Sequence, residues 1–238
     1  MALARGDQII TTLTVPGDER RSERLWLDVN ELLQSPRLKI EAVDLFGVCV
    51  GPGGFTGLRV GLAAVKGLAA ATGKPIAGVT SLEAAATAAV GATTACAMVG
   101  AYKGEVYWQL FAVDDRGLPV ALSEPLVSTS TEAIAQVADL PDIVFVGDAV
   151  EASVDVIREK AGARFIEATN APGSGWRIKP AAYGLAEAVA RVAYLKWQQG
   201  ARDTAEGLQA LYVRPAEAEV KLSLGLLGSK IERSRKAE

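Results

Sequence analysis

Residues 48–62 constrain the fold of this chain more than any other segment, because an apolar run meets a glycine-rich corner at Gly51 and passes into a helical pattern. The β-branched residues before the corner are typical of a buried strand, and no polar residue interrupts 60–65 after it. The segment therefore predicts a buried strand that enters a buried helix through a tight turn.

The two common glycine-rich phosphate-binding patterns do not fit this corner. A Walker loop requires Gly, four residues and then Gly-Lys-Ser/Thr, and a dinucleotide fingerprint requires Gly at the first, third and sixth positions. Counted from Gly51, the sixth position is Thr56, and the next lysine lies well inside the helix. Gly57, Gly61 and Ala64 instead recur at helical spacing, and in an exposed helix each glycine costs about 1 kcal/mol relative to alanine. The pattern favours close packing against another backbone over a nucleotide cradle.

Composition bounds the chemistry of the chain. Its 25 basic and 28 acidic residues give a net charge of −3 over 238 positions, which provides no electrostatic footprint for unaided nucleic-acid binding. The chain has no histidine, so Ser-His-Asp catalysis, Cys-His catalysis and His-rich metal sites are excluded. Cys49 and Cys96 both lie in apolar runs and are interpreted as core residues. Because no segment has the composition of a membrane span or a signal peptide, we expect a soluble cytoplasmic protein.

The predicted elements occur in the same order twice. In the second half the order is β-β-β-α-β-α-β-α, with strands at 95–99, 105–113, 118–127, 143–146 and 164–167 and helices at 131–138, between Asp148 and Gly162, and between Pro180 and Gly200. In the first half, strands at 2–4, 9–15, 43–50 and 76–79 alternate with helices that start after the 16–19 break, at Gly57 and at 82. This is the same order without its opening strand, so a central position of the first sheet is predicted to be unfilled.

Three motifs resemble the TsaB (YeaZ) family: Gly-Pro-Gly-Gly-Phe-Thr-Gly-Leu-Arg-Val-Gly at 51–61, Gly-Glu-Val-Tyr at 104–107 and Leu-Tyr-Val-Arg-Pro-Ala-Glu-Ala-Glu at 211–219. The resemblance extends over about residues 2–219. It implies an α/β fold of two tandem actin-like ATPase (RNase H-like) units, the first without its opening strand. Residues 1–92 are expected to form the first, partner-binding unit, 93–212 the second unit and 213–238 a C-terminal tail.

The resemblance also implies a function. Members of this family are the dimerisation subunit of the bacterial machinery that makes threonylcarbamoyladenosine in tRNA. We therefore expect a catalytically inactive scaffold that pairs with a TsaD-type catalytic subunit, is joined by a TsaE-type ATPase and meets tRNA only indirectly. Alone, the chain is expected to cover the same face by forming a homodimer. No cofactor is expected, and the stoichiometry, the assembly order and a nucleotide at the complex interface stay open.

The expected partner surface combines the apolar stripe of the first helix with the small-residue side of the glycine-rich helix. Its residues are Leu25, Trp26, Val29, Leu32, Leu33, Thr56, Gly57, Arg59, Gly61, Ala64 and Leu68. On this surface, Gly61→Leu is expected to leave the monomer folded and to abolish the complex. Arg59 is interpreted equally well as an exposed charge or as a partner contact.

A catalytic function would require the acidic residues that active members of the superfamily carry. Active members hold nucleotide and metal with an acidic residue on the first strand of each unit. This chain lacks that strand in the first unit, and 99–103 reads Val-Gly-Ala-Tyr-Lys where members usually show an Asp-Ala-Arg-Lys-like sequence. It also reads Arg-Ser-Glu at 21–23 where members have His-Ser-Glu. The rival hypotheses are a stand-alone small-molecule kinase or peptidase-like hydrolase, and a direct tRNA-binding module.

Three further side chains have a structural interpretation that we prefer to a functional one. Asp148 follows a strand end, where α/β sheets often bind ligands, but it is expected to be a helix cap. Glu83 is expected to serve helix-end electrostatics. Glu105 begins a hairpin strand that is expected to be a solvated edge.

Overall fold

The computed structural model describes residues 1–15, 21–34, 36–167 and 174–214. The helix start expected at 16–19, most of the loop expected at 170–175 and the C-terminal segment from 215 onward lie outside these residues. Within the described part of the chain, none of the helices is long and apolar enough to span a membrane.

The chain alternates strands and helices, as the sequence predicts. The strands are β1 (Ala2–Arg5), β2 (Gln8–Thr12), β3 (Phe46–Gly51), β4 (Ile76–Thr80), β5 (Ala95–Gly100), β6 (Glu105–Val113), β7 (Pro119–Ala121), β8 (Leu126–Thr129), β9 (Ile143–Val146) and β10 (Trp176–Ile178). The α-helices are α1 (Arg21–Gln34), α2 (Phe55–Thr72), α3 (Ser81–Ala86), α4 (Ser130–Gln136), α5 (Val154–Ala161) and α6 (Leu185–Gln198).

The second half forms a six-stranded mixed sheet. Its order is β10-β9-β5-β6-β7, and β8 also pairs with β6. The central strand β5 runs antiparallel to β6 and parallel to β9, and β10 is parallel to β9. The residues between these strands and α3, α4 and α5 supply two apolar clusters, one on each face of the sheet.

Two strands of this sheet differ from the prediction. The strand expected at 118–127 is divided into β7 and β8, because hydrogen bonds to side chains interrupt its pairing with β6 at Ser123. The Ser123 hydroxyl accepts from the Leu110 amide, and the Ser123 carbonyl accepts from Gln109 Nε2. The last strand of the sheet is β10 and not 164–167. At Arg164 the chain forms a turn, since the guanidinium donates to the carbonyls of Ala138 and Leu140 at 2.9 and 3.1 Å.

The start of the last helix also differs. The sequence predicts it at Pro180, whereas α6 begins at Leu185 after Gly184. The side chain of Glu187 accepts a hydrogen bond from the Gly184 amide at 3.1 Å, which satisfies one of the free donors at the helix start. Local capping therefore sets this boundary, and the proline precedes it.

The first half forms two separate pairs of strands, which confirms the fold class with its missing strand. β1 and β2 form an antiparallel hairpin, and β3 and β4 form a parallel pair. In chain order the hairpin corresponds to β6 and the β7–β8 strands, and the parallel pair corresponds to β9 and β10. Among the described strands, β5 is the one without a counterpart in the first half.

The last helix of each half packs on strands of the other half. α3 follows the strands of the first half and packs on β5 and β6, whereas α6 follows the strands of the second half and packs on β1, β3 and β4. The two helices also contact each other. The division at residues 92 and 93 stays a prediction, and α6 is the element that crosses it.

Candidate functional site

The glycine-rich corner joins β3 to α2 and determines where both lie. Gly51 has φ of +108°, a conformation that side chains rarely adopt, and a Cβ there would come within 2.8 Å of the Leu211 carbonyl oxygen. The Ser81 hydroxyl donates to the carbonyl of Pro52 at 2.6 Å, so the corner is also held by the start of α3. Glycine is required here by the backbone and by the close approach of the C-terminal segment.

Helices cover β3 on both faces. Phe46, Val48 and Val50 pack with Leu62 of α2, as the alternation of a strand requires. On the opposite face, a Cβ at Gly47 would lie 2.9 Å from that of Ala193, so α6 approaches the strand closely. The strand is therefore buried, as its sequence predicts.

The C-terminal segment contacts both of the other segments that carry the family resemblance. Arg59 lies on Phe55, with its guanidinium carbon 3.7 Å from the ring centroid, and its Nε donates to the hydroxyl of Tyr212 at 3.0 Å. Two residues later, Arg214 forms an ion pair with Glu105 at the start of β6. Glu105 is therefore not a solvated edge charge. The C-terminal motif thus connects the start of α2 in the first half, through Tyr212, to the start of β6 in the second half, through Arg214.

The first helix has an exposed apolar edge and a buried edge. Trp26 and Leu27 are 56% and 65% exposed, although both are large and apolar. Leu33 is only 8% exposed, and Asp28 is buried beside Arg24, with 3.4 Å between Nε and the carboxylate. Leu27 was missed from the sequence, because it lies outside the 3.6-residue stripe of apolar positions. The exposed apolar edge is formed by Trp26 and Leu27.

The small-residue side of α2 is only partly exposed. Thr56, Gly57 and Arg59 are exposed, and a Cβ at Gly57 would contact nothing within 4 Å. A Cβ at Gly61 would lie 3.9 Å from Val48, and Leu68 packs against the core of the first half. The remaining predicted surface residues are half-buried: Leu25, Val29, Leu32 and Ala64. A side chain at 61 would point into the monomer, so Gly61→Leu is a poor probe of a partner surface.

A cleft of about 410 Å³ lies beyond the ends of β3 and β4. Its charged groups are engaged with each other or with the backbone. Lys196 lies 2.7 Å from the carboxylate of Glu83 and donates to the Gly78 carbonyl, and the Gly78 amide donates to Asp203 at 2.7 Å. Glu83 also forms a capping box with Thr80, as its predicted helix-end role requires. The cleft therefore offers no uncommitted carboxylate among its lining residues.

Asp148 does not cap a helix. Its carboxylate accepts a hydrogen bond from the Gly100 amide at 2.9 Å, which ties the end of β9 to the end of β5. The preceding Gly147 has φ of +115°, and a Cβ there would come within 2.0 Å of the Met98 carbonyl oxygen. The helix-cap prediction for Asp148 was wrong, because this backbone approach turns its side chain toward the central strand.

The two cysteines lie in apolar surroundings, one buried and one half-buried. Burial raises the pKa of the Cys96 thiol to about 12, and burial also raises the pKa of Cys49 despite a hydrogen bond from the Gly51 amide. In the described residues, no group of three or more Cys, Asp and Glu side chains lies close enough to hold a metal ion. Both thiols are therefore protonated near neutral pH.

Comparison with known proteins identifies the family. The family model described as TsaD, tRNA N6-adenosine threonylcarbamoyltransferase, matches residues 17–215. The chain belongs to this family. Within the TsaD family, the resemblance to TsaB proteins is confirmed by the tRNA threonylcarbamoyladenosine biosynthesis protein TsaB of Escherichia coli, which is 32% identical over 100 residues, 41% of this chain and 43% of that protein.

Other curated proteins match over shorter or similar lengths. An uncharacterised protein of Mycobacterium tuberculosis is 36% identical over 105 residues, covering 44% of this chain and 49% of that one. A tRNA N6-adenosine threonylcarbamoyltransferase of Clostridium botulinum is 46% identical over 55 residues, covering 23% and 16%. The chain thus spans less than half the length of the curated relatives that it matches.

Solved structures support the same fold. YeaZ from Pseudomonas aeruginosa superposes with a TM-score of 0.65 at 24% identity, covering 89% of this chain and 92% of that one. An uncharacterised protein described as similar to the peptidase YeaZ from Pseudomonas aeruginosa gives a TM-score of 0.60 at 25% identity, covering 81% and 83%. These likenesses agree with the two-unit architecture.

Proposed function

We propose that this chain is a non-catalytic scaffold subunit in the synthesis of threonylcarbamoyladenosine in tRNA. It pairs with a TsaD-type catalytic subunit, a TsaE-type ATPase joins the complex, and the chain meets tRNA only through its partners. The observation that carries the proposal is the exposed apolar edge of α1, which a monomer has no reason to present to water. The open glycine positions at the start of α2 add a surface on which another helix can lie closely.

The catalytic role is assigned to the partner for chemical reasons. Active members of the superfamily carry an acidic residue on the first strand of each unit. In this chain the end of that strand, β5, carries Gly100, whose amide donates to Asp148. Lys196 pairs with Glu83 and donates to the Gly78 carbonyl, and Asp203 accepts from the Gly78 amide. These contacts favour a structural role and speak against a stand-alone kinase or hydrolase. The net charge of −3 speaks against a direct tRNA-binding module.

The experiment is complex formation with the TsaD-type protein of the same genome, measured by size exclusion with light scattering. The wild-type chain is expected to form the complex, and alone it is expected to elute as a homodimer through the same surface. Trp26→Ser and Gly57→Leu change only exposed positions, so each should leave the monomer folded and weaken the complex at least about tenfold.

The matched control is Leu122→Ser. Leu122 is 53% exposed, and it lies between β7 and β8 in the second half, so its removal should leave the complex unchanged. Equal affinity for the wild type and both surface variants would contradict the proposed interface. Formation of threonylcarbamoyladenosine by the catalytic subunit alone, with no effect of this chain, would contradict the proposed function.

A further inference from the structure

The start of α2 is weakly stabilised by its own sequence. Its N-cap is Gly54, which has no side chain to accept from the free amides of the first turn, and 55–58 contains no acidic residue. Gly57 and Gly61 lower the helix propensity of the first two turns further. These turns are exposed or half-buried, and the first buried residue of the helix is Leu62. The start of α2 therefore depends on contacts with other parts of the chain.

The segment 203–214, which we call the strap, follows α6 and crosses the strands of the first half. Asp203 forms an antiparallel bridge with Ile76, and its carboxylate accepts from the Gly78 amide at 2.7 Å. Further along the strap, Leu208 is buried in the core of the first half. The first part of the strap is therefore fixed to β4 and to the core beneath it.

The next part of the strap reaches the glycine-rich corner and the start of α2. The Leu211 amide donates to the Val50 carbonyl at 2.7 Å. The ring of Tyr212 lies 5.4 Å from the ring of Phe55, and its hydroxyl accepts from Arg59 Nε at 3.0 Å. These three side chains are exposed, so the cluster lies on the surface, next to the open glycine positions of α2. Tyr212 thus supplies contacts that the first turns of the helix lack in their own sequence.

The end of the strap is anchored on the second half. Arg214 forms an ion pair with Glu105, and both side chains are half-buried, with 38% and 27% of their surface exposed. Glu105 begins β6, which pairs with β5, β7 and β8, so the sheet fixes its position. Arg214 follows Tyr212 by two residues. The ion pair therefore limits how far the Tyr212 ring can move away from α2.

We propose that the strap positions the partner surface. Glu105 holds Arg214, and the strap then keeps the Tyr212 ring on α2 and fixes the first turns of this helix in the form that the partner binds. Glu105 and Arg214 are positioning residues, because both lie outside the surface formed by α1 and α2. The identity of the partner rests on the function proposed above, whereas the ordering of α2 is a property of the chain alone.

The first test is amide hydrogen exchange in the isolated chain. The amides of 58–60 are the first in α2 that have acceptors in the helix or at its N-cap. Glu105→Arg places two arginines side by side, and it should accelerate exchange at these amides about tenfold while exchange at 66–70 stays unchanged. Arg214→Glu should have the same effect. Measurement at two chain concentrations separates this opening from dissociation of a homodimer, which depends on concentration.

The double variant tests whether the ion pair itself is responsible. Glu105→Arg combined with Arg214→Glu restores the pair with exchanged charges, so exchange at 58–60 should return to within about twofold of the wild type. The matched control is Glu167→Arg, which breaks another Arg–Glu pair of the second half, 3.2 Å from Arg158 of α5, and should change nothing at 58–60. If circular dichroism shows that a charge variant does not fold, Tyr212→Ser tests the same link without a change of charge and should also accelerate this exchange.

The second test titrates the same variants with the TsaD-type protein. Glu105→Arg and Arg214→Glu should each weaken binding about tenfold, and the double variant should recover the wild-type affinity. Glu167→Arg should bind like the wild type. Recovery distinguishes positioning from a direct contact, because the double variant presents both charges reversed to any partner group that had met them.

Four results would overturn the proposal. These are unchanged exchange at 58–60 in the single variants, an equal increase along the whole of α2, failure of the double variant to recover, and accelerated exchange with unchanged affinity for the partner. Absence of binding by the wild-type chain would instead contradict the function proposed above. The exchange data would then still decide whether the strap orders α2.

Discussion

Arg59 donates a hydrogen bond to the hydroxyl of Tyr212 across 153 positions of the chain, and its guanidinium lies on the ring of Phe55. We expect Arg59→Ala to lower the free energy of unfolding by about 1 kcal/mol, since it removes a cation–π contact and a hydrogen bond at an exposed site. Tyr212→Phe keeps the ring and loses only the acceptor, so about half of that loss is expected. Urea denaturation of both variants measures the difference, and equal losses would mean that the ring contact contributes nothing.

Gly51 and Gly57 lie in the same motif and should respond to alanine in opposite directions. Gly51→Ala forces a side chain into φ of +108° and toward the Leu211 carbonyl, so we expect a loss of about 2 to 4 kcal/mol in the free energy of unfolding. Gly57 is an open helical position, and Gly57→Ala should gain about 0.5 to 1 kcal/mol. Thermal denaturation followed by circular dichroism compares the two. A stabilising Gly51→Ala would show that Leu211 does not approach the corner in solution.

Lys196 forms a half-buried ion pair that should matter more than an exposed one. Lys196→Met leaves the carboxylate of Glu83 and the carbonyl of Gly78 without this donor, and we expect a loss of about 1 to 3 kcal/mol. The control is Lys74→Met, which removes a pair with the exposed Asp44 at 3.3 Å and should cost less than about 0.5 kcal/mol. Guanidinium chloride would screen both pairs, so urea is the denaturant of choice. Equal losses would indicate that the cleft is as solvated as the surface.

Cys96 should make the chain less stable at alkaline pH. Its pKa is about 12 in the folded chain against the ordinary 9.0, so above pH 9 the unfolded thiol loses its proton while the folded thiol keeps it. Stability is therefore constant below pH 9 and falls between pH 9 and 12, by about 2 kcal/mol on going from about pH 8 to about pH 10.5.

The measurement is urea denaturation of the wild type and of Cys96→Ala at both pH values. The variant starts from a lower stability because of the lost sulfur, but it should lose about 2 kcal/mol less than the wild type over this interval. Parallel pH dependence in the two proteins would refute the assignment. Rapid alkylation of Cys96 in the folded chain at about pH 8 would refute it as well, because the thiolate is the reactive form.

Much of the fold was predictable because it depends on local patterns. The strand at 143–146 and the one at 105–113 were predicted with their observed bounds, since uninterrupted apolar or alternating residues leave little choice. The strand at Trp176–Ile178 was missed, because it is set by distant contacts: it pairs with β9, the Trp176 ring packs on Phe145, and the indole donates to the Leu140 carbonyl, 36 positions away. Strand breaks at Ser123 and Arg164 likewise depend on side chains that replace main-chain partners.

The sequence predicted the helices of the candidate surface but not which of their residues are exposed. Periodicity identified α1 and α2 as apolar helices, but it could not say which edge each helix would turn inward. Leu33 and Leu68 pack within the monomer, while Leu27 is exposed outside the expected stripe. Which face is buried depends on the neighbouring elements, and these come from distant parts of the chain.

By itself, the sequence determined the order of strands and helices, the repeat with one strand left out, the glycine corner and the absence of histidine chemistry. These follow from residue types and their spacing, which act over a few residues. Only the tertiary structure decided that Gly51 faces Leu211, that Arg214 meets Glu105, that Asp148 binds the end of β5, and that α6 packs on β1, β3 and β4. Each of these depends on contacts between segments far apart in the chain, whose geometry no local pattern encodes.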